Sequence, residues 1–254
     1  AIRNNKLLED DSLLLGVAGN KRKKSVSISP TGIALNDKKH LLYVVTKQDN
    51  SLYIFDTRTL AILKKVKLDA EAYTCLLSPD KKELYISIWG GDEISVYNTT
   101  LNKLAGEIKV GDNPNDLCIT KNGRYLFVAN ANDNTVSVID VPSRKVLETL
   151  NTAVHPTDLS GTTTNGVALS DDDKTLYIAN ADNNCLAVFD VSEPGSSHSL
   201  GFIPTGWYPD CVRVIGNKLY VANAKGFSSF ANPHGPNPTD VKEKVGIHTG
   251  DSAQ

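Results

Sequence analysis

The sequence predicts an all-β fold, a β-propeller of four-stranded blades, because three short phrases recur along it in one register. The first phrase is centred on an aromatic residue, the second ends in an acidic or amide residue, and the third is a polar turn that precedes each copy of the first. The first phrase has an aromatic centre and occurs at Leu42-Tyr43-Val44, Leu84-Tyr85-Ile86, Leu126-Phe127-Val128, Leu176-Tyr177-Ile178 and Leu219-Tyr220-Val221. Its aromatic residues are spaced by 42, 42, 50 and 43 residues. A period near forty residues with several short strands in each unit is typical of propellers.

One repeat, residues 114–151, shows how a blade arises from the sequence. An apolar run at 117–119 suits an inner strand, and a turn with Asn and Gly separates it from a second strand at 125–130. Residues 136–140 alternate polar and β-branched side chains, which is typical of a half-buried third strand. Residues 146–150 complete the blade as its outer strand. We therefore expect second strands near 42–46, 84–88, 125–130, 176–180 and 218–223.

Composition narrows the class of protein. The chain has 254 residues, of which 40% are apolar and 22% charged, as in globular domains. Its net charge of −2 gives no whole-molecule reason to bind nucleic acid or an anionic membrane. No run approaches the roughly 18 apolar residues of a membrane span. The start lacks the apolar region of a signal peptide and there is no Met, so we expect a piece of a longer chain.

The four cysteines lie far apart among apolar strand residues. We expect buried thiols that pack as small apolar side chains. A zinc site would need ligands at short local spacing, which the sequence lacks, so neither a metal nor a cofactor is expected. The cysteines are Cys75, Cys118, Cys185 and Cys211.

The repeats resemble a known family. Residues 126–130 (LFVAN), followed by 136–140 (VSVID), resemble the YVTN repeat of YncE-like bacterial propellers, over roughly residues 12–227. The run Gly206-Trp207-Tyr208-Pro209, then 221–226, then 232–238 is similar to the propeller part of bacterial proteins that fuse a propeller to a phosphoesterase of the alkaline phosphatase superfamily. The resemblance implies a seven-bladed ring, a location in the periplasm or on the cell surface, and a phosphoesterase-type partner domain. Any phosphoesterase activity would belong to that domain, whose metal-binding motifs are not matched here.

The repeats also define the expected domain limits. Residues 1–227 hold four complete blades and two partial ones, about five blades of the ring. Residues 6–15 read like the outer strand of a preceding blade, which would pair with the rest of the precursor, with another polypeptide, or with the blade begun at Cys211. Residues 228–254 are rich in Pro, Gly and Asn and form a long loop or linker. An insertion between two strands and a disordered tail both fit them.

Loops at one end of the blades hold the candidate ligand-binding residues, since function in propellers usually lies in such loops. Both tryptophans fall there, as do the insertions that break the 42-residue spacing. Trp89 and Trp207 could instead cap blade ends, and His155 could bond a loop carbonyl. Asn130, Asn180 and Asn223 recur at one position and are expected to bond loop backbone. The candidates are Trp89, Tyr73, His155, Trp207, Tyr208 and Lys225.

A run of four basic residues, Lys21, Arg22, Lys23 and Lys24, is a candidate anion-binding loop. It could cradle phosphate or a nucleic acid backbone, or it could be a solvated loop without a ligand.

The sequence favours a non-catalytic binding and scaffolding propeller of the bacterial envelope, accessory to a phosphoesterase and able to take a small polar or phosphate-bearing ligand. No motif for nucleophilic, metal or phosphate-loop chemistry occurs, so no catalytic residue is assigned. A lactonase-like propeller hydrolase is the first alternative. A nucleic-acid-binding propeller is the second, which the net charge disfavours.

Overall fold

The computed structural model describes residues 28–155, 160–161 and 163–226, together with the backbone of 2–3 and 6–7. The basic run at 21–24 and the segment 228–254 lie outside the described residues, so their assignments stay predictions. The chain divides into two compact units, residues 1–108 and 109–254, and each is described by itself. Within the described parts, helix is limited to one 3-10 turn, and nothing helical is long and apolar enough to cross a membrane.

Unit 1 contains two four-stranded antiparallel sheets, each with its strands in chain order. The first sheet comprises β3 (Ser29–Asn36), β4 (Leu41–Lys47), β5 (Ser51–Asp56) and β6 (Ile62–Lys67). The second comprises β7 (Ala72–Leu77), β8 (Glu83–Ile88), β9 (Glu93–Asn98) and β10 (Lys103–Lys109). Two antiparallel strands of two residues each, β1 (Ile2–Arg3) and β2 (Lys6–Leu7), precede them in the chain.

Unit 2 continues the pattern with two complete sheets and one of two strands. The first has β11 (Pro114–Ile119), β12 (Tyr125–Asn130), β13 (Thr135–Asp140) and β14 (Lys145–Asn151). The second has β15 (Thr164–Leu169), β16 (Thr175–Asn180), β17 (Cys185–Asp190) and β18 (His198–Pro204). The third has β19 (Pro209–Ile215) and β20 (Lys218–Asn223). The described residues thus form part of a β-propeller, and the five predicted second strands are confirmed as β4, β8, β12, β16 and β20.

The pairing register repeats from sheet to sheet as faithfully as the sequence. In the five sheets that begin with β3, β7, β11, β15 and β19, the first and second strands pair with a bulge near the start of the first strand. In the first three repeats the aromatic residue of the second strand is buried: Tyr43, Tyr85 and Phe127 are at most 1% exposed. Large aromatic side chains at one buried position explain why that phrase is the strongest signal in the sequence.

In each unit one pair of consecutive first strands lies close together, because a glycine stands where the two strands are nearest to each other. A Cβ on Gly32 of β3 would lie 2.5 Å from the Cα of Thr74 in β7, and a Cβ on Gly166 of β15 would lie 3.0 Å from the carbonyl oxygen of Asp210 in β19. In unit 1 the Thr31 hydroxyl also donates to the carbonyl of Ala72 across 3.1 Å.

The expected outer strand at residues 6–15 is described only at Lys6–Leu7, which pairs with Ile2–Arg3. That local pairing is none of the three proposed for it, and the remainder of the run lies outside the described residues.

The four cysteines are free thiols. Burial is confirmed for Cys75 and Cys185, while Cys118 and Cys211 are half-buried. Burial raises the pKa of the Cys75 thiol to about 12, so this thiol stays protonated and unreactive near neutral pH.

Candidate functional site

Three of the six candidate residues, Trp207, Tyr208 and Lys225, lie together in unit 2 and are called the Lys225 cluster here. Trp207 and Tyr208 precede β19 and Lys225 follows β20, and these two strands are antiparallel neighbours. The backbone closes the two ends against each other: Ala224 N donates to the Tyr208 carbonyl at 2.8 Å and Trp207 N to the Gly226 carbonyl at 2.8 Å. Strand pairing therefore sets the cluster's geometry.

The Lys225 ammonium lies against both rings of the cluster. Its Nζ is 4.2 Å from the ring centre of Tyr208 and 5.6 Å from that of Trp207. Such contacts contribute about 0.5–1 kcal/mol at exposed sites and about 2 when the cation is desolvated. Across the part of unit 2 that the structure describes, Lys225 has no carboxylate partner. The ammonium is thus held in place with its charge still able to pair with an anion.

Tyr208 is the conformationally unusual member of the cluster. Its φ of 62° places a non-glycine residue in the left-handed region, and its backbone N–H donates to Asn184 Oδ1 at 2.8 Å. Such a conformation costs on the order of 1–3 kcal/mol and persists where the surroundings hold it. Burial raises the pKa of the Tyr208 phenol, with Asp182 acting in the same direction, so the hydroxyl stays neutral.

Unit 1 brings two further candidates together around a lysine that sequence analysis missed. The Nζ of Lys47, at the end of β4, lies 4.9 Å from the ring centre of Trp89 and 5.7 Å from that of Tyr73. Tyr73 stands near the start of β7 and Trp89 directly follows β8. Lys47 stands four residues after Tyr43, the aromatic residue of its second strand, and Lys225 stands five residues after Tyr220. This correspondence is the sequence signal that would have identified it.

The sixth candidate, His155, is exposed in the loop after β14. The asparagines at the ends of second strands behave differently from one another. Asn180 Nδ2 donates to the Thr152 carbonyl at 2.6 Å, as expected of a loop-backbone contact. For Asn130 that expectation is wrong: its Nδ2 donates to the hydroxyls of Thr135 and Ser137, both at 2.9 Å, because β13 presents hydroxyls to it.

A row of polar side chains along the first strands of unit 2, called the inner row here, also escaped sequence analysis. It consists of Asn115, Asn165 and Asp210, each the second residue of its strand. Asn115 Nδ2 donates to Asn165 Oδ1 at 2.9 Å, and Asn165 Nδ2 donates to Asp210 Oδ1 at 2.7 Å. Asp210 follows Tyr208 by two residues at the start of β19, so the row adjoins the Lys225 cluster.

An ion pair joins the outer two of these three strands, between Asp116, the residue after Asn115, and Arg213, three residues after Asp210. Arg213 Nη1 is 3.1 Å from Asp116 Oδ2, which also accepts from Val167 N at 3.3 Å. The same Nη1 donates to the Val212 carbonyl at 2.6 Å. The pair links the first and third sheets of unit 2 across the second.

In unit 1, carboxylate oxygens of Asp69, Glu93 and Glu107 lie within 4.8 Å of one another. Asp69 and Glu107 are exposed, and exposed carboxylates often approach one another without binding an ion.

Comparisons with known proteins place the chain among propellers. A family model described as "Lactonase, 7-bladed beta-propeller" matches residues 33–154, which span both sheets of unit 1 and the first sheet of unit 2. A solved structure titled "Structure of U3-55K" is similar, with a TM-score of 0.65 and 15% identity over 80% of this chain. The match covers 61% of that protein's length. At this identity the likeness shows the fold alone. Comparison with curated proteins gives no match.

Proposed function

We propose that this chain is a non-catalytic binding propeller that takes a small polar ligand with an anionic group at the Lys225 cluster. The observation that carries the proposal is the placement of Lys225: its ammonium contacts two partly buried aromatic rings and no carboxylate among the described residues. A cation held in this way is already positioned, so pairing with an anion costs less side-chain entropy. The Trp207 ring supplies an apolar face beside it.

The experiment is an isothermal titration of the chain with inorganic phosphate and with glycerol 3-phosphate. Lys225→Gln removes the charge while keeping a long polar side chain, and we expect about a tenfold loss of affinity, or about 1.4 kcal/mol. Lys225→Arg should recover most of the affinity because it restores the cation. Lys145→Gln, an exposed lysine on β14, is the matched control and should bind as the native chain does. Equal affinity in Lys225→Gln and the native chain, or no saturable binding of either probe, would overturn the proposal.

A lactonase-like hydrolase is the second candidate, because the family model that matches residues 33–154 describes lactonases. The test is turnover of simple lactones such as δ-gluconolactone by the purified chain, followed by proton release. A rate above the uncatalysed one that survives Lys225→Gln would favour this candidate over a binding function at the cluster.

We further propose that the propeller serves as an accessory to a phosphoesterase in the bacterial envelope. The support is the resemblance of Gly206-Trp207-Tyr208-Pro209 and 221–226 to the propeller part of propeller–phosphoesterase fusions. These residues form or flank the Lys225 cluster. Determining the full open reading frame tests this proposal directly, since it requires a secretion signal and a phosphoesterase domain on the same precursor.

A further inference from the structure

We propose that the inner row of Asn115, Asn165 and Asp210 is a hydroxyl-recognising subsite that takes the vicinal hydroxyls of a carbohydrate. The inference rests on the proposed function in one respect, since the row adjoins the Lys225 cluster and would hold the same ligand's uncharged part.

The direction of the hydrogen bonds in the row is fixed from one end. The Asp210 carboxylate can only accept, so Asn165 must turn its Nδ2 toward it, at 2.7 Å. Asn165 then presents Oδ1 to Asn115, which must in turn donate through its own Nδ2, at 2.9 Å. These two hydrogen bonds fix the orientation of both side-chain amides. Exchanging Oδ1 and Nδ2 in either amide would place two donors or two acceptors against each other.

With the amides in this orientation, the acceptor at the Asn115 end of the row, Oδ1, has no donor. Asn115 is only 4% exposed, and its Oδ1 is buried with no hydrogen-bond partner among the described residues. A buried carbonyl oxygen without a donor is rare in native proteins and calls for a water or ligand hydroxyl. At the opposite end Asp210 is exposed, and its Oδ2 has no partner within the described part of unit 2. Both ends of the row therefore lack a hydrogen-bond donor.

Donors are available beside the row. Arg213 makes both of its contacts through Nη1, and its Nε and Nη2 groups have no partner among the residues described. Its side chain is 55% exposed. The charges of Asp116, Asp210 and Arg213 sum to −1. A second negative charge would therefore be repelled from the row, and a neutral group is favoured there.

A polyol is a neutral ligand that both donates and accepts at neighbouring atoms, because each hydroxyl carries one donor and two acceptor sites. Two adjacent hydroxyls could donate to the Asp210 carboxylate or to Asn115 Oδ1 while accepting from Arg213. The partly buried Trp207 ring offers an apolar face for the C–H side of a sugar ring. Donors on the ligand, acceptors in the row and an aromatic face nearby together match the chemistry of a carbohydrate.

The test uses neutral sugars as probes, so that they report on the row and not on the Lys225 charge. The native chain is titrated calorimetrically with D-glucose, D-galactose, D-mannose and N-acetyl-D-glucosamine. We expect at least one to bind, and Asp210→Asn to weaken that sugar about tenfold while leaving phosphate affinity unchanged. Asp172→Asn, a carboxylate in an exposed turn of the same unit, is the matched control and should have no effect.

The outcomes separate the two proposals. If phosphate binds at Lys225 but no sugar binds, the carbohydrate inference fails and the proposed function stands. If a sugar binds equally well to the native chain and to Asp210→Asn, the row is not its site and the inference is overturned. If sugar binding depends on Asp210 while phosphate binding is absent, the inference stands and the anionic part of the proposed function fails.

Discussion

Replacing Phe127 by alanine is expected to destabilise the protein by about 3–5 kcal/mol. The Phe127 side chain is 0% exposed and belongs to an apolar cluster that includes Val138, Val167 and Ile178. Because these neighbours come from three different strands, the cavity left by the ring cannot collapse without moving two sheets. The loss therefore combines the lost transfer free energy of the ring with the cost of an unfilled cavity.

The matched control is Tyr220→Ala, at the equivalent position of the last repeat. Tyr220 is 51% exposed, so its removal should cost less than about 1 kcal/mol. Urea denaturation followed by circular dichroism measures both free energies of unfolding. Similar losses in the two variants would mean that burial does not set the cost of removing the ring, and that Phe127 is not enclosed between two sheets as described.

Gly32→Ala is expected to cost about 3 kcal/mol, although it adds only one methyl group. The new Cβ would lie 2.5 Å from the Cα of Thr74 and 2.9 Å from the backbone nitrogen of Cys75. Both are backbone atoms of β7, so relief requires moving a strand and not merely turning a side chain. The substitution therefore separates the first strands of the two sheets in unit 1.

Gly90→Ala is the control for Gly32→Ala, because a Cβ at Gly90 meets its nearest atom, Glu71 N, at 3.5 Å, an ordinary contact. Its free energy of unfolding should stay within about 0.5 kcal/mol of the native value. Thermal denaturation of both variants checks the pair. A Gly32→Ala protein as stable as Gly90→Ala would show that the two first strands are not in close contact.

The strands could be predicted from the sequence because the residues of each repeat determine the strands and turns of that repeat. The pleat of a strand sets the alternation in residues such as 136–140. Burial within a single sheet places an aromatic residue at the same position of the repeat. The polar turns identify the strand ends for the same reason, since Asn and Asp favour turn conformations. Second strands and sheet order therefore followed from the sequence without knowledge of packing between sheets.

The candidate site was only partly predictable. Trp207, Tyr208 and Lys225 were found because they are conspicuous residue types in loops. Lys47 was missed because its role depends on aromatics some 26 and 42 residues away, at Tyr73 and Trp89. Residues of the inner row were missed because their contacts join neighbouring sheets of unit 2, and the bulge at each first strand hides their common position from simple alternation.

The central claim is that the Lys225 cluster binds a ligand and is not a structural cap. The most direct measurement is on Trp207→Ala, combining its melting temperature with calorimetric titration by glycerol 3-phosphate. Loss of the ring should weaken binding about tenfold, by analogy with aromatic stacking worth roughly 1–3 kcal/mol per ring, and should leave the melting temperature within about 2 °C of the native value. A melting temperature lowered by several degrees with unchanged affinity would show that Trp207 caps the blade and would contradict the account.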